Sequence, residues 1–300
     1  MTFGGLMVYV LYNTTSGSHY GRENIQEKIS REFPGEEITL TDTLSVDDKQ
    51  AYVSMLSAED RLVIVGGDGT LNHFINGIEQ EEYPFPIYCY AAGTGNDFIN
   101  DVTGEKSDDL VKINEYIKGL PVIEVNGERY KFINGIGYGL DGWACEIGNQ
   151  ERIKKNGKAP NYTVIALKGL LYKFKTVNAR VTVDGVTSEY KNVWMVPSMN
   201  GRYFGGGMMI APMQDRLNEE KNLSAVVLTC KSRLKLLTIF PKVFKGKHAK
   251  HTDVFKVLTG KNISVEFDRA IALQIDGETV LGVKTYEVKS GALLKKEATV

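Results

Sequence analysis
The 300-residue sequence has only three cysteines and almost no net charge, and it has no long apolar run. Cys89, Cys145 and Cys230 are scattered through apolar or mixed sequence, show no metal-ligand spacing and cannot all pair. That excludes a disulfide framework, and reduced thiols serving as small buried side chains are expected. A net charge of −1 argues against any general affinity for nucleic acid. No apolar run reaches the roughly 18 residues of a membrane span. Leu6 to Tyr12 is too short for a signal peptide and lacks its basic flank, so a cytoplasmic protein is expected. The rest is ordinary globular composition, 42% hydrophobic and 24% charged, in a length that suits one large domain or two ordinary ones.

What the sequence does have is Val63-Ile64-Val65-Gly66-Gly67-Asp68-Gly69-Thr70-Leu71-Asn72. A β-branched run ends in three glycines around one carboxylate, and Leu71, Phe74, Ile75 and Ile78 continue at helical spacing, so the order is buried strand, tight loop, helix. Glycines let the backbone approach a ligand, and the following helix presents unpaired N–H groups at its positive end, which together make a phosphate cradle. The pattern is neither G-x-G-x-x-G nor a P-loop. An aspartate among phosphates calls for a divalent cation between them, so Asp68 points to a metal–nucleotide. A plain strand-to-helix turn is the alternative.

The flanking sequence supplies a frame. Leu6 to Tyr12 is a wholly apolar first strand, predicted to be central, that runs into Asn13-Thr14-Thr15-Ser16-Gly17. These small polar side chains suit phosphate or ribose contacts, or an ordinary turn. Ile25, Ile29 and Phe33 mark a helix over 23–33. A strand at 37–40 ends at Thr41-Asp42-Thr43, and a helix over 47–56 has Ser45 or Asp47 as its cap. Strand and helix alternate as in a parallel sheet. A strand over 84–90 then leads to Gly93-Thr94-Gly95-Asn96-Asp97-Phe98, a second glycine loop that would open on the same sheet edge as the first.

The two loops together resemble the diacylglycerol kinase catalytic domain of the soluble bacterial lipid kinases. Asn13 to Gly17 is similar to that family's first nucleotide loop, with threonine in place of its usual proline. The first glycine motif is shared with NAD kinases, and the second discriminates. The resemblance implies an α/β chain in two domains. One is a Rossmann-like, NAD kinase-like parallel-sheet domain over 1–124, completed by 291–300. The other is an antiparallel β-sandwich domain over 125–290. The residues agree with the second domain. Asn126-Gly127 and Asp184-Gly185 are hairpin signals. Strand-like runs recur at 192–197, 223–230, 254–258, 263–267 and 270–275, with helical patterns at 162–174 and 234–244. Phe132 to Asp141 is similar to the family's entry into this domain, and Asn200 to Met208, with its glycine triplet, to its domain junction.

The resemblance also implies site roles. Asn13, Thr14, Thr15, Ser16, Gly17 and Thr41, with Gly66 to Asn72 and Thr94, would hold ATP, and Asp68 would reach its phosphates through Mg2+. In Leu273-Gln274-Ile275-Asp276-Gly277-Glu278, Glu278 takes the place of the family's proposed general base, a carboxylate within reach of the hydroxyl proton. A plain Asp-Gly hairpin is the other reading of that stretch. Some relatives hold a structural magnesium in a loop that corresponds to 212–223. Alignment places Glu220 at the metal aspartate and Leu217 and Asn222 as carbonyl donors, with a solvated acidic loop as the alternative.

Between Lys231 and Lys261, nine basic residues (Lys231, Arg233, Lys235, Lys242, Lys245, Lys247, Lys250, Lys256, Lys261) stand against Asp253 alone. Leu234, Leu237, Phe240, Val243 and Phe244 interleave with them. The segment suits an anionic bilayer, or a packed helix with a solvated basic face. The expectation is an ATP- and Mg2+-dependent lipid kinase, peripherally membrane-associated, that takes diacylglycerol or another lipid alcohol at an anionic membrane surface. The family adds a possible homodimer. A soluble NAD kinase-like enzyme and a non-catalytic nucleotide or lipid sensor are the alternatives.

Overall fold
The computed structural model describes residues 6–13, 21–79, 82–93, 95–104, 107, 109–154 and 160–291. The chain divides into two compact units between Lys118 and Gly119.

The first unit is built on a five-stranded sheet. β1 (Met7–Tyr12), β2 (Glu37–Asp42), β3 (Arg61–Gly66), β4 (Ile87–Ala91) and β5 (Leu110–Lys112) stand in the order β2-β1-β3-β4-β5. All pairs are parallel except β4 with β5. β1 is internal, as its apolar sequence demands, with Val8 and Val10 fully buried. Helix α1 (Arg22–Glu32) buries Ile25 and Ile29. Helix α2 (Lys49–Ser54) is capped by Asp48, whose carboxylate accepts from the Ala51 N–H, rather than by Ser45 or Asp47. Helix α3 (Asp68–Asn76) follows β3, and α4 (Asp97–Thr103) follows β4. The chain leaves β1 toward β2 on one side and returns to β3 on the other. A topological switch point therefore lies between β1 and β3.

The second unit is antiparallel. It contains β6 (Val122–Val125), β7 (Glu128–Lys131), β8 (Gly135–Tyr138), β9 (Val177–Val183), β10 (Val186–Met195), β11 (Ser198–Met199), β12 (Leu223–Thr229), β13 (Phe255–Gly260), β14 (Asn262–Ile275) and β15 (Glu278–Lys289). The two short runs expected at 263–267 and 270–275 are one strand, β14, with its register interrupted between Glu266 and Ile271. One end of β14 pairs with β9 and the other with β8, so the sandwich-like sheet folds back and closes on itself. Three Asx-Gly hairpins have positive φ at both central residues: Asn126-Gly127, Asp184-Gly185 and Asp276-Gly277. Helix α5 (Leu140–Lys154) packs on this sheet, α6 (Tyr162–Lys168) packs on α5, and the π-turn over 169–173 and α7 (Arg233–Ile239) add Leu170, Leu236 and Ile239 to its core. Its core includes Tyr138 stacked on Phe267 at 3.9 Å between ring centroids. Helix α5 and strand β15 have no counterpart among the sequence expectations. Residues 292–300, expected to return to the first domain, lie outside the described residues. Gly291 packs so closely on the Gly119 carbonyl that a Cβ could not fit there.

Candidate active site
The parallel register puts the carboxyl ends of β1, β2, β3 and β4 on one edge. Tyr12 lies opposite both Asp42 and Val65, and Gly66 lies opposite Ala91. Asn13, Thr41, the Gly66 loop and the Gly93 loop therefore share the edge at the switch point, where open α/β sheets bind ligands. Asn13 Nδ2 donates to Thr70 Oγ1 at 3.3 Å, which ties the end of β1 to the first turn of α3. Gly66 has no room for a Cβ because the Thr70 side chain fills the space. Gly67 and Gly93 press backbone to backbone, and a Cβ on Gly93 would stand 2.5 Å from the Gly67 Cα. Gly67 is thus required by close approach of the two loops, and Gly66 by the Thr70 side chain folded over it. Asn96, at φ +51°, closes the second loop by accepting from the Gly93 N–H at 3.0 Å and donating to the Gly93 carbonyl at 2.8 Å.

Asp68 joins the two loops. Its Oδ2 accepts from the Asp97 N–H at 2.8 Å and its Oδ1 from the Phe98 N–H at 2.9 Å. A carboxylate across a helix start satisfies two orphan donors and opposes the positive dipole end. The Asp68 charge and, above all, burial push the neighbouring Cys89 thiol up to about 12, so it stays protonated and inert. The N-cap position of α3 is Gly67, which has no side chain to cap the helix. Leu71 belongs to the core, Asn72 is buried and hydrogen-bonded with Asn76, and Gly69 lies in the first turn of α3. Thr41 Oγ1 accepts from Tyr52 Oη at 3.3 Å. Thr14, Thr15, Ser16, Gly17 and Thr94 lie outside the described residues.

In the second unit the β14–β15 turn carries the other acids. Asp276, at φ +46° and buried, accepts from three successive backbone N–H groups: Ile133 at 2.6 Å, and Asn134 and Gly135 at 2.9 Å each. It is a clamp on the chain entering β8. Glu278 opens β15 and is exposed. The turn is therefore a hairpin in geometry, with its aspartate buried for structure and its glutamate presented to solvent.

Two family models cover this architecture. Residues 7–122 match the diacylglycerol kinase catalytic domain, and residues 134–293 match the YegS C-terminal NAD kinase beta sandwich-like domain. The chain belongs to the diacylglycerol kinase-like lipid kinase family. Among its lipid kinase relatives, the Bacillus subtilis (strain 168) protein named "Putative lipid kinase YtlR" is 23% identical over 77% of each chain. The Staphylococcus aureus (strain N315) protein named "Putative lipid kinase SA0681" is 28% identical over 74% of this chain and 72% of its own. A crystal structure titled as a putative diacylglycerol kinase, from Bacillus anthracis str. Sterne, shares the fold with a TM-score of 0.65 at 21% identity, covering 97% of this chain and 96% of that one.

The loop that holds a structural magnesium in some members of the family has a different donor set here. Glu220 pairs with Lys261 Nζ at 2.6 Å. The Asn222 carbonyl accepts from both Gln214 Nε2 at 2.9 Å and Asn218 Nδ2 at 3.0 Å, which uses both lone pairs. The Leu217 N–H is turned to Asp215 Oδ1. Among the described residues no group of three acids, histidines or cysteines could hold a metal. Of the three expected donors, Glu220 is engaged by an ammonium and the Asn222 carbonyl by two amides. Asp68 spans the two loops through the Asp97 and Phe98 N–H groups, at the sheet edge where a magnesium–phosphate would lie.

The basic segment packs Leu236, Ile239 and Val243 into the core and leaves Leu234 and Phe244 exposed. Lys235 is paired with Asp253. His248 is buried, its ring against Phe255 and its Nε2 3.0 Å from the Ile210 carbonyl, and burial lowers its pKa. No helix of the described residues is long and apolar enough to cross a membrane.

Two residues at this site escaped the sequence reading. Gln274 lies buried beneath the β14–β15 turn, and Asp141 lies buried at the start of α5. Asp141, Cys145 and Asn149 recur every four residues, the one pattern that could have flagged a polar helix face.

Proposed function
We propose that the protein is an ATP-dependent lipid kinase that transfers the γ-phosphoryl group to a lipid hydroxyl, with diacylglycerol as acceptor and phosphatidic acid as product. The pair of glycine loops at the switch point, locked together by Asp68 over the α4 N-terminus, carries the reading. Backbone N–H groups of the Gly66 loop and the start of α3 receive the phosphates, with Asn13 and Thr41 alongside. Magnesium, held through Asp68, would neutralise phosphate charge. The acceptor oxygen attacks the γ-phosphorus, the bond to the β-phosphate oxygen breaks, and ADP leaves. Glu278 accepts the proton released by the hydroxyl. Positioning and charge neutralisation do most of the work in such a transfer. The basic segment, with Leu234 and Phe244 exposed, supports docking on an anionic bilayer, where each lysine adds about 1 kcal/mol at low salt.

The test is transfer of labelled γ-phosphate from magnesium–ATP to diacylglycerol, a sphingoid base or NAD, with and without anionic mixed micelles. Labelled phosphatidic acid, dependent on micelles, is expected. Label on the sphingoid base would change the acceptor and keep the class. Label on NAD would move the protein to the soluble kinases. ATP binding with no transfer to any acceptor would make it a sensor.

A further inference from the structure
Helix α5 runs beneath the turn that carries Glu278. Its Asn149 Nδ2 donates to Thr279 Oγ1 at 3.0 Å, one residue beyond Glu278. Two turns earlier, Asp141 Oδ2 accepts from Gln274 Nε2 at 2.8 Å, and Gln274 Oε1 accepts from the Gly277 N–H at 2.6 Å. This relay runs from the helix through a buried amide to the peptide immediately before Glu278. Space is cleared for it. A Cβ on Gly137 would overlap Asp141 Oδ2, and one on Gly142 would overlap the Ala272 carbonyl, so α5 reaches β8 and β14 only through glycines. Asp141 is buried, and burial pushes its carboxyl up to about 6, a rise that the Gln274 hydrogen bond opposes. Its titratable surroundings are Cys145 and Arg152 on α5, Glu278 on β15 and Tyr162 on α6; burial first, then Asp141 and Glu278, raise the Cys145 thiol, and burial, Cys145 and Glu278 raise the Tyr162 hydroxyl while Arg152 lowers it. An unpaired buried acid costs stability, and such costs persist where function needs the group.

We propose that Asp141 is a positioning residue for Glu278. Its carboxylate orients the Gln274 amide, and the amide oxygen then fixes the Gly277 peptide that presents Glu278 to the acceptor hydroxyl. The role in turnover rests on the lipid kinase reading above; the coupling to Gly277 does not.

Two readouts separate them: hydrogen exchange of the Gly277 amide, and kcat against the KM for ATP in the full chain. In Asp141→Ala, Gly277 exchange should rise at least about tenfold and kcat should fall about ten- to a hundredfold, the cost of a misplaced group, with the KM for ATP little changed. Asp141→Asn keeps an acceptor for Gln274 and should restore both quantities most of the way. Gln274→Met should repeat the alanine result even if Asp141→Ala folds poorly. Unchanged Gly277 exchange in both Asp141→Ala and Gln274→Met would overturn the coupling. Faster exchange with undiminished kcat would overturn the positioning role. Faster exchange in the two variants, with a wild type that phosphorylates no lipid, would leave the coupling standing and overturn the kinase reading, and the role in turnover with it.

Discussion

The two units carry acid-bearing glycine turns that differ in how they are built. In the first, Asp68 reaches across to the start of α4, and both loops come from one stretch of about thirty residues. In the second, Asp276 holds three N–H groups at 133–135, more than 140 residues earlier in the chain. In both turns the motif aspartate is a clamp on backbone donors, and the group facing outward is a neighbour: glycine N–H groups in one, Glu278 in the other. An acid in a glycine motif is therefore first a means of shaping the loop.

The comparison can be broken from its strongest end. Asp276→Ala leaves three buried N–H groups without an acceptor at about 1–3 kcal/mol each, so denaturant unfolding of the second unit should lose several kcal/mol. Retention of wild-type stability would contradict the clamp. Asp68→Ala removes a capping carboxylate, and calorimetry should show a loss of about 1–2 kcal/mol in the first unit together with lost ATP binding. An ATP affinity that survives the substitution would separate the clamp from the phosphate site.

Asp141 sharpens the contrast because its buried charge costs stability. Its folded pKa of about 6 lies above the ordinary carboxylate value, so the native state holds the proton more tightly than the unfolded chain. Its contribution is fully present below the unfolded pKa and is lost as pH rises through about 6. Asp141→Asn should therefore raise stability, and Tm with it, at pH 7.5 relative to wild type, by no more than about 3 kcal/mol of unfolding free energy, and the gain should vanish near pH 4. A lower Tm for the variant at pH 7.5 would show that the charge stabilises. The smallest effect belongs to the 212–223 loop. With Lys261 exposed by a third and Glu220 by more than two thirds, Lys261→Met should cost under about 1 kcal/mol. A chelator should leave Tm unchanged; a chelator-dependent fall would restore a structural metal.

The same contrast explains what the sequence revealed. The first unit was legible because strand, glycine loop and helix are contiguous, and the resemblance of its loops was carried by short strings. Helix α5 was not, because its buried face is Asp141, Gly142, Ala144 and Gly148 rather than an apolar stripe. Strand β15 hides behind glutamates, lysines, threonines and a glycine at φ +69°. Glu278 was singled out by resemblance. Its supports, Gln274 and Asp141, became visible only when the fold brought positions 133 residues apart within 2.8 Å. The Lys261–Glu220 pair was equally out of reach, since its partners lie 41 residues apart.

The central claim is that an exposed glutamate on a clamped turn takes the acceptor proton while the glycine loops hold the nucleotide. Single-turnover transfer of labelled γ-phosphate to diacylglycerol in anionic micelles tests it most directly, comparing wild type with Glu278→Gln at matched ATP occupancy. The account predicts a loss of about a hundredfold or more in the transfer rate, with ATP binding and Tm preserved. A Glu278→Gln protein that transfers phosphate at the wild-type rate would contradict it.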